Sequence, residues 1–424
     1  MSTGTTPERL LLAGGTVWDG TSGTAEPALA DVVIADGRIA AVGTGLDGDR
    51  EIDCRGQLVL PGLIDCHVHL AVSTLDLAAQ LRAPFSLPFY QAARNAALTL
   101  AAGITTVRDA GGADLGMKTA QQQGLFAGPR MQIAITILSQ TGGHADGWQP
   151  SGCDLPFLFT PHPGRPSGVT DGPDEVRKRV REVLRAGADV IKVATTGGVL
   201  SPRDDPNHAH FRGDELVEIF REARAAGVPV MAHAHTPGGI RDAARTGARS
   251  VEHGTVLDAE TVEVMATNGT WLVPTLSAGH AVLDPDGIGA ALSADQLEQG
   301  RRLAAGHLES LRLAIDAGVP LAMGTDAGVS PHGDNPFELE LLVGAGLTPA
   351  HALFAATGSA ARLLGLHDDL GTVEEGKRAD LLLVTTDGDG LGLTGLARRV
   401  TAVFQDGRLV HSPAALSPGT VRSH

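Results

Sequence analysis

Short apolar runs separated by Gly/Asp turns fill the first sixty residues: Leu10-Leu11-Leu12, Thr16-Val17-Trp18, Asp31-Val32-Val33-Ile34, Arg38 to Val42 and Gln57 to Leu60. Runs of this length, with turn signals such as Ala35-Asp36-Gly37 between them, predict the hairpins of a small sheet. The C-terminal stretch repeats the style at Asp380 to Val384 and at Thr401 to Phe404, which is followed by Asp406-Gly407. Two β-rich ends around a long middle predict one composite β-sandwich domain built from both termini, residues 1–62 and 367–424.

Between them, over residues 63–366, apolar runs alternate with Ala/Leu/Glu/Arg-rich stretches of helical period, the pattern of repeated βα units. Eight strands are predicted: Leu63–His69, Thr105–Asp109, Met131–Leu138, Val190–Thr195, Val228–His233, Ser250–His253, Trp271–Leu276 and Pro320–Thr325. Several follow the same phrase, as in Ala102-Gly103, Ala186-Gly187-Ala188, Ala226-Gly227, Thr246-Gly247-Ala248 and Ala317-Gly318. Glycine there takes the left-handed conformation that closes a helix. The fold class expected is α/β, a (β/α)8 TIM barrel; an open doubly wound sheet shares the pattern.

A chain of 424 residues suits one barrel plus a smaller appendage, and 42% hydrophobic against 19% charged residues describes a globular protein with a large core. The net charge of −16 repels phosphate backbones, so neither nucleic acid nor an anionic membrane is expected as a partner. Cys54, Cys66 and Cys153 are odd in number and lack CxxC spacing, which fits neither a disulfide framework nor a thiolate zinc site. The apolar stretch Leu10 to Ala13 is too brief for a signal-peptide core, and no run approaches membrane-spanning length. These features predict a cytoplasmic protein.

Candidate chemistry lies at the predicted strand ends. His67 and His69 stand two residues apart at the end of the first strand, so both imidazoles face one side and can share an ion. By themselves they fit a structural role equally well. Lys192 sits inside the apolar run Val190-Ile191-Lys192-Val193, where a buried ammonium is costly unless paired or neutralised. His233 and His253 end strands five and six, one βα repeat apart, and Asp326 closes the eighth in a Gly-rich turn. Six candidate ligands at the ends of five strands point to a metal site, because the active site of a TIM barrel lies at those ends.

This order of HxH, strand-four Lys, strand-five and strand-six His and strand-eight Asp, led in by Leu60-Pro-Gly-Leu-Ile-Asp65, resembles the amidohydrolase superfamily. The resemblance extends to Gly371-Thr-Val-Glu-Glu-Gly-Lys-Arg-Ala-Asp380. Thr141-Gly-Gly-His144, Ala194-Thr-Thr-Gly-Gly198 with Ser201-Pro202, and Val251-Glu-His-Gly254 are similar to prolidase-like and ochratoxinase-like members. It implies hydrolysis of dipeptides or N-acyl amino acids by a homo-oligomer. It further implies two divalent ions, zinc by ligand type: His67, His69 and Asp326 on the first, His233 and His253 on the second, and Lys192 bridging them as a carbamate. Paired metals acidify a water and polarise the scissile carbonyl, and Asp326 is then placed to move the proton to the leaving nitrogen.

His235 and His144 are candidate catalytic and substrate contacts, with a supporting role at the strand end as the alternative for His235. Arg203, His208, His210 and His332 lie in βα loops and are candidates for binding substrate. Arg108-Asp109, ending strand two, is expected to be a structural ion pair and loop anchor. A mononuclear deaminase of the same superfamily is disfavoured, since Thr236 stands where those enzymes carry glutamate. A cyclic-amide ring hydrolase of the imidazolonepropionase or hydantoinase kind remains the alternative. A dead barrel that only binds would have lost ligands, and all six positions are filled here. The Gly/Pro-rich segment 142–174 is expected to act as a lid or oligomer contact.

Overall fold

Strands from the two ends of the chain meet edge to edge. In the computed structural model, which describes residues 8–149, 151–155, 162–199, 204–286, 289, 292–386 and 390–413, the N-terminal strands are β1 (Leu10–Val17), β2 (Ala28–Ala35), β3 (Arg38–Gly43), β4 (Arg50–Asp53) and β5 (Gln57–Pro61). Then come β6 (Leu63–Val68), β7 (Ile104–Asp109), β8 (Arg130–Ile133), β9 (Ile137–Leu138), β10 (Ile191–Ala194), β11 (Val230–Ala234), β12 (Ser250–His253) and β13 (Trp271–Val273). The last three are β14 (Leu381–Thr385), β15 (Val400–Gln405) and β16 (Arg408–His411).

One eight-stranded sheet runs β16-β15-β14-β5-β1-β2-β3, with β4 beside β1. The termini are joined by the antiparallel pair β5 and β14, in register from Leu381 opposite Pro61 to Thr385 opposite Gln57. Its own core includes Leu12, Val32, Leu383 and Phe404. Asp36 and Gly37 turn β2 into β3 with φ of 50° and 76°, and Asp406 and Gly407 turn β15 into β16 with 49° and 72°. Two consecutive positive φ values give the hairpin turn whose twist matches its strands. The strand β4 carried too weak a pattern to be anticipated.

The middle of the chain forms parallel strands, β6-β7-β8 and β9-β10-β11-β12-β13. The expected third strand is interrupted at Ala134-Ile135-Thr136, because Ile135 takes φ 68°, a conformation a β-branched residue resists. The expected seventh strand stops at Val273: Pro274 has no N–H to offer, and Thr275, at φ 53°, turns the chain into the helix Leu276–Leu283. The expected eighth strand is not continuous. Leu321 bridges Leu272 and Ala327 bridges Val68, so the segment between them links β13 to β6, with Cys66 N–H donating to the Met323 carbonyl at 2.9 Å. At Gly324 a Cβ would lie 2.4 Å from the Val273 side chain and 2.9 Å from that of His67. Only glycine permits that approach.

Amphipathic helices cover the strands; Pro173–Arg185, for example, buries Val176, Val180 and Val183 on one face. The five helix-ending glycines anticipated above all have positive φ, from 70° at Gly227 to 109° at Gly247. Among the described residues no helix is long and apolar enough to cross a membrane.

Candidate metal centre

His67 lies in β6 and His69 just beyond it; both are buried. His67 Nδ1 donates to Glu252 Oε2 at 2.8 Å, and His69 Nδ1 donates to the Gly111 carbonyl at 2.7 Å. Both partners only accept, so the proton sits on Nδ1 and each ring turns an Nε2 lone pair inward. Those two nitrogens face Asp326 Oδ1 at 3.5 and 3.2 Å, and that buried oxygen has no hydrogen-bond donor. Three electron-rich atoms converging away from water are unfavourable unless a cation lies among them. Without one, His69 must take up a proton: burial opposes this, yet the Asp326 carboxylate raises its pKa. The donor set fits a divalent ion.

Lys192, in β10, brings Nζ to 3.4 Å from His67 Nε2. Burial pulls its ammonium down to about 8, against the pull of Glu252 and Asp326. His233, in β11, donates Nε2–H to the Gly197 carbonyl at 3.2 Å, which leaves Nδ1 as its lone pair. His253 ends β12 at φ 72° and pairs Nδ1 with Thr275 Oγ1 at 2.7 Å. The His253 ring lies 5.1 Å from that of His67 and 4.7 Å from that of His233. Ligand atoms of His67, His253 and Asp326 fall within 4.8 Å of one another. All six anticipated ligand residues are therefore brought to one place. Burial holds His67 down to about 4 and keeps His233 and His253 well below the ordinary value, so these rings are neutral, the form that ligates metal.

Asp326 sits at φ 56°, with its N–H on the His67 carbonyl at 2.7 Å. Burial works to raise its pKa, but His67, His69 and Lys192 outweigh it and hold the group well below the usual carboxylate range. Left-handed backbone at two non-glycine site residues, His253 and Asp326, is strain that the surrounding hydrogen bonds sustain.

The remaining candidates divide. His235 is buried, pairs Nδ1 with Thr255 Oγ1 at 2.7 Å and stacks on His253 at 5.0 Å. His144 stacks on His233 at 4.0 Å. Burial takes both rings down to about 3. His332 instead donates Nε2–H to the Val72 carbonyl at 3.0 Å and is not among the residues lining the cleft described below. His208 is exposed, and His210 pairs with Asp204 at 3.1 Å. Arg203 lies outside the described residues, as does part of the segment 142–174.

The expected ion pair Arg108-Asp109 does not form. Neighbours on a strand point to opposite faces. Arg108 runs inward, donating to the Cys66 carbonyl at 2.7 Å, Ser250 Oγ at 3.0 Å and Glu252 Oε1 at 2.9 Å. Asp109 does anchor a loop, accepting from the N–H groups of Leu70, Gly111 and Ala113. Glu252, which sequence reasoning missed, therefore ties Arg108 to His67; burial opposes its charge, but Arg108 and then His67 hold it down to about 2. Replacing Arg108 with Met leaves that carboxylate buried with its cation gone. A loss of about 3–5 kcal/mol in unfolding free energy is expected by denaturant titration, and an unchanged midpoint would contradict the pairing.

Three other residues were missed. Asp65 accepts from Thr325 Oγ1 at 2.6 Å and from Asn335 Nδ2 at 2.8 Å, which locks the Asp326 segment to β6. His307, on the helix Ala294–Asp316, donates Nε2–H to the His253 carbonyl at 2.9 Å. Thr275 holds the His253 ring and also precedes the next helix. A cleft of about 820 Å³, mouth included, opens over this cluster, with histidines, Lys192 and Asp326 on one side and an apolar wall on the other.

The sequence profile of the Amidohydrolase family matches residues 58–410. Ochratoxinase from Aspergillus niger is 34% identical over 403 residues, covering 91% of this chain and 83% of that protein; its crystal structure superposes with a TM-score of 0.83 over 97% of each chain. A crystal structure of a Xaa-Pro dipeptidase with methionine bound in the active site superposes with a TM-score of 0.86 at 33% identity, over 95% of this chain and 100% of that one. Imidazolonepropionase from Maricaulis maris is 29% identical over 382 residues, 82% of this chain and 85% of that protein. The chain belongs to the amidohydrolase family and is a hydrolase acting on amide bonds.

Proposed function

We propose that this protein is a binuclear metal-dependent amidohydrolase that cleaves dipeptides, Xaa-Pro or others with a hydrophobic C-terminal residue, or N-acyl amino acids such as ochratoxin-like amides. In this reading residues 63–366 form a closed (β/α)8 barrel, and residues 1–62 and 367–424 form one composite β-sandwich. The protein is a cytoplasmic homo-oligomer. The observation that carries the reading is the buried Asp326 Oδ1, facing the inward nitrogens of His67 and His69 with no donor of its own.

His67, His69 and Asp326 would hold one divalent ion, His233 and His253 a second, and Lys192, as a carbamate, would bridge them; histidine with carboxylate suits zinc. A carbamate also removes the cost of a buried ammonium. When bound, the ions would acidify water and polarise the scissile carbonyl. Asp326, whose Oδ1 faces the inward nitrogens of His67 and His69, would accept the proton of the attacking water and hand it to the departing nitrogen. His235 contributes a hydrogen bond to the carbonyl oxygen if Thr255 donates to its Nδ1, which places the ring proton on Nε2. His144, stacked on His233, is positioned to contact the substrate. Arg203 stays a candidate for substrate contact, and His332 would reach the substrate only by leaving the Val72 carbonyl.

A second reading, opening of a cyclic amide, is favoured by the likeness to imidazolonepropionase. A screen of Xaa-Pro dipeptides, N-acyl amino acids and cyclic amides with zinc-loaded protein separates them. Cleavage of linear amides is expected; activity confined to rings would overturn the substrate class.

A further inference from the structure

The apolar side of the cleft is built from two helices. Leu276–Leu283 presents Ala278, Gly279 and Val282, and Ala294–Asp316 presents Gly300, Leu303 and Ala304, with His307 one turn further on. Spacings of three and four residues put each set on one helical face. Both helices are held by hydrogen bonds to other elements. Glu338 accepts from the N–H groups of Leu276 and Ser277 at 2.8 and 2.7 Å and from Ser277 Oγ at 2.6 Å, which fixes the start of the shorter helix. His307 on the longer one bonds the carbonyl of His253.

The two glycines of this wall differ. A Cβ at Gly300 would lie 2.9 Å from Val282 Cγ1, so close packing of the helices accounts for it. A Cβ at Gly279 would meet no heavy atom within 4 Å, and its φ is not among the positive ones. Neither packing nor backbone conformation calls for glycine there, and glycine costs a helix interior about 1 kcal/mol relative to alanine. What its small size leaves is open space beside Ala278 and Val282, facing the site.

We propose that this wall is the pocket for an apolar side chain of the substrate and that Gly279 sets the largest group admitted. The inference rests on the hydrolase reading above. It assigns specificity to a bulky aliphatic or aromatic group on one side of the scissile amide.

The test uses zinc-loaded full-length protein and two series, Xaa-Pro and N-acetyl-Xaa, with Xaa as Gly, Leu, Phe, Asp and Lys. In at least one series wild-type kcat/KM for Leu and Phe should exceed that for Gly by about 10-fold or more. Gly279→Phe should lower the Leu and Phe values by about 10-fold or more, chiefly through KM, and leave the Gly member little changed. Leu303→Ala, which removes wall surface and adds no bulk, should weaken the same members and provides a reading if the first variant misfolds. No apolar preference in either series, or a uniform loss across all members in variants with normal helicity and metal content, would overturn the wall and leave the hydrolase reading standing. Failure of the wild type to cleave any member would overturn the linear-amide reading on which the wall rests.

Discussion

Lys192→Ala is expected to lower bound divalent metal and to cut kcat/KM by roughly 100-fold or more, with partial recovery when a short carboxylic acid is added. Lys192 is about 1% exposed, lies among apolar neighbours on β10 and points its Nζ at His67 Nε2. Burial already favours the neutral amine, the form that takes up carbon dioxide. Truncation leaves a hole the length of the side chain beside the ligands, and formate or acetate fits it as a substitute carboxylate. Lys192→Arg sharpens the test: it keeps a cation but forms no carbamate in this setting. Metal content and activity near wild-type in the arginine variant would show that charge alone is required there.

Asp326→Asn should reduce turnover by about 10²- to 10⁴-fold while binding of a competitive substrate analogue changes little. The amide is nearly isosteric and still offers an oxygen near His67 and His69, so the loss falls on proton transfer. Asparagine also tolerates the left-handed backbone of this position. The informative comparison is kcat against the inhibition constant at fixed metal loading. A variant that turns over at the wild-type rate would eliminate Asp326 as the proton carrier, and one that simply loses metal would move its role to ligation.

Much of this site was legible because it depends on local rules. Alternation places His67, in β6, and His69, just beyond it, on one face, and a single βα repeat brings His233 and His253 to adjacent strand ends one register position apart, with His233 opposite Glu252. The helix-closing glycines were legible for the same reason. What failed depended on distant partners or on backbone that contradicts local preference. Ile135 breaks an apolar run that reads as continuous, and the segment before Asp326 is held by Asp65 and Asn335 rather than by a full strand ladder. Arg108 was paired with its sequence neighbour, whereas its carboxylate partner lies 144 residues away. Glu252 could have been found: a carboxylate between Val251 and His253 on a short strand poses the same burial question as Lys192. His332 had the same loop character as His144, and only a contact with Val72, 260 residues distant in sequence, draws it away. Leu276, expected to end the seventh strand, instead opens the helix Leu276–Leu283, whose start is set by Thr275 and by Glu338 from another element.

The central claim is that ligands scattered from His67 to Asp326 surround a pair of cations. Anomalous diffraction from zinc-loaded crystals tests it most directly. Two peaks are expected, one within bonding distance of His67, His69 and Asp326 and the other within bonding distance of His233 and His253, with continuous density from Lys192 between them. A single peak, peaks away from these side chains, or a Lys192 amine directed out of the cluster would contradict it.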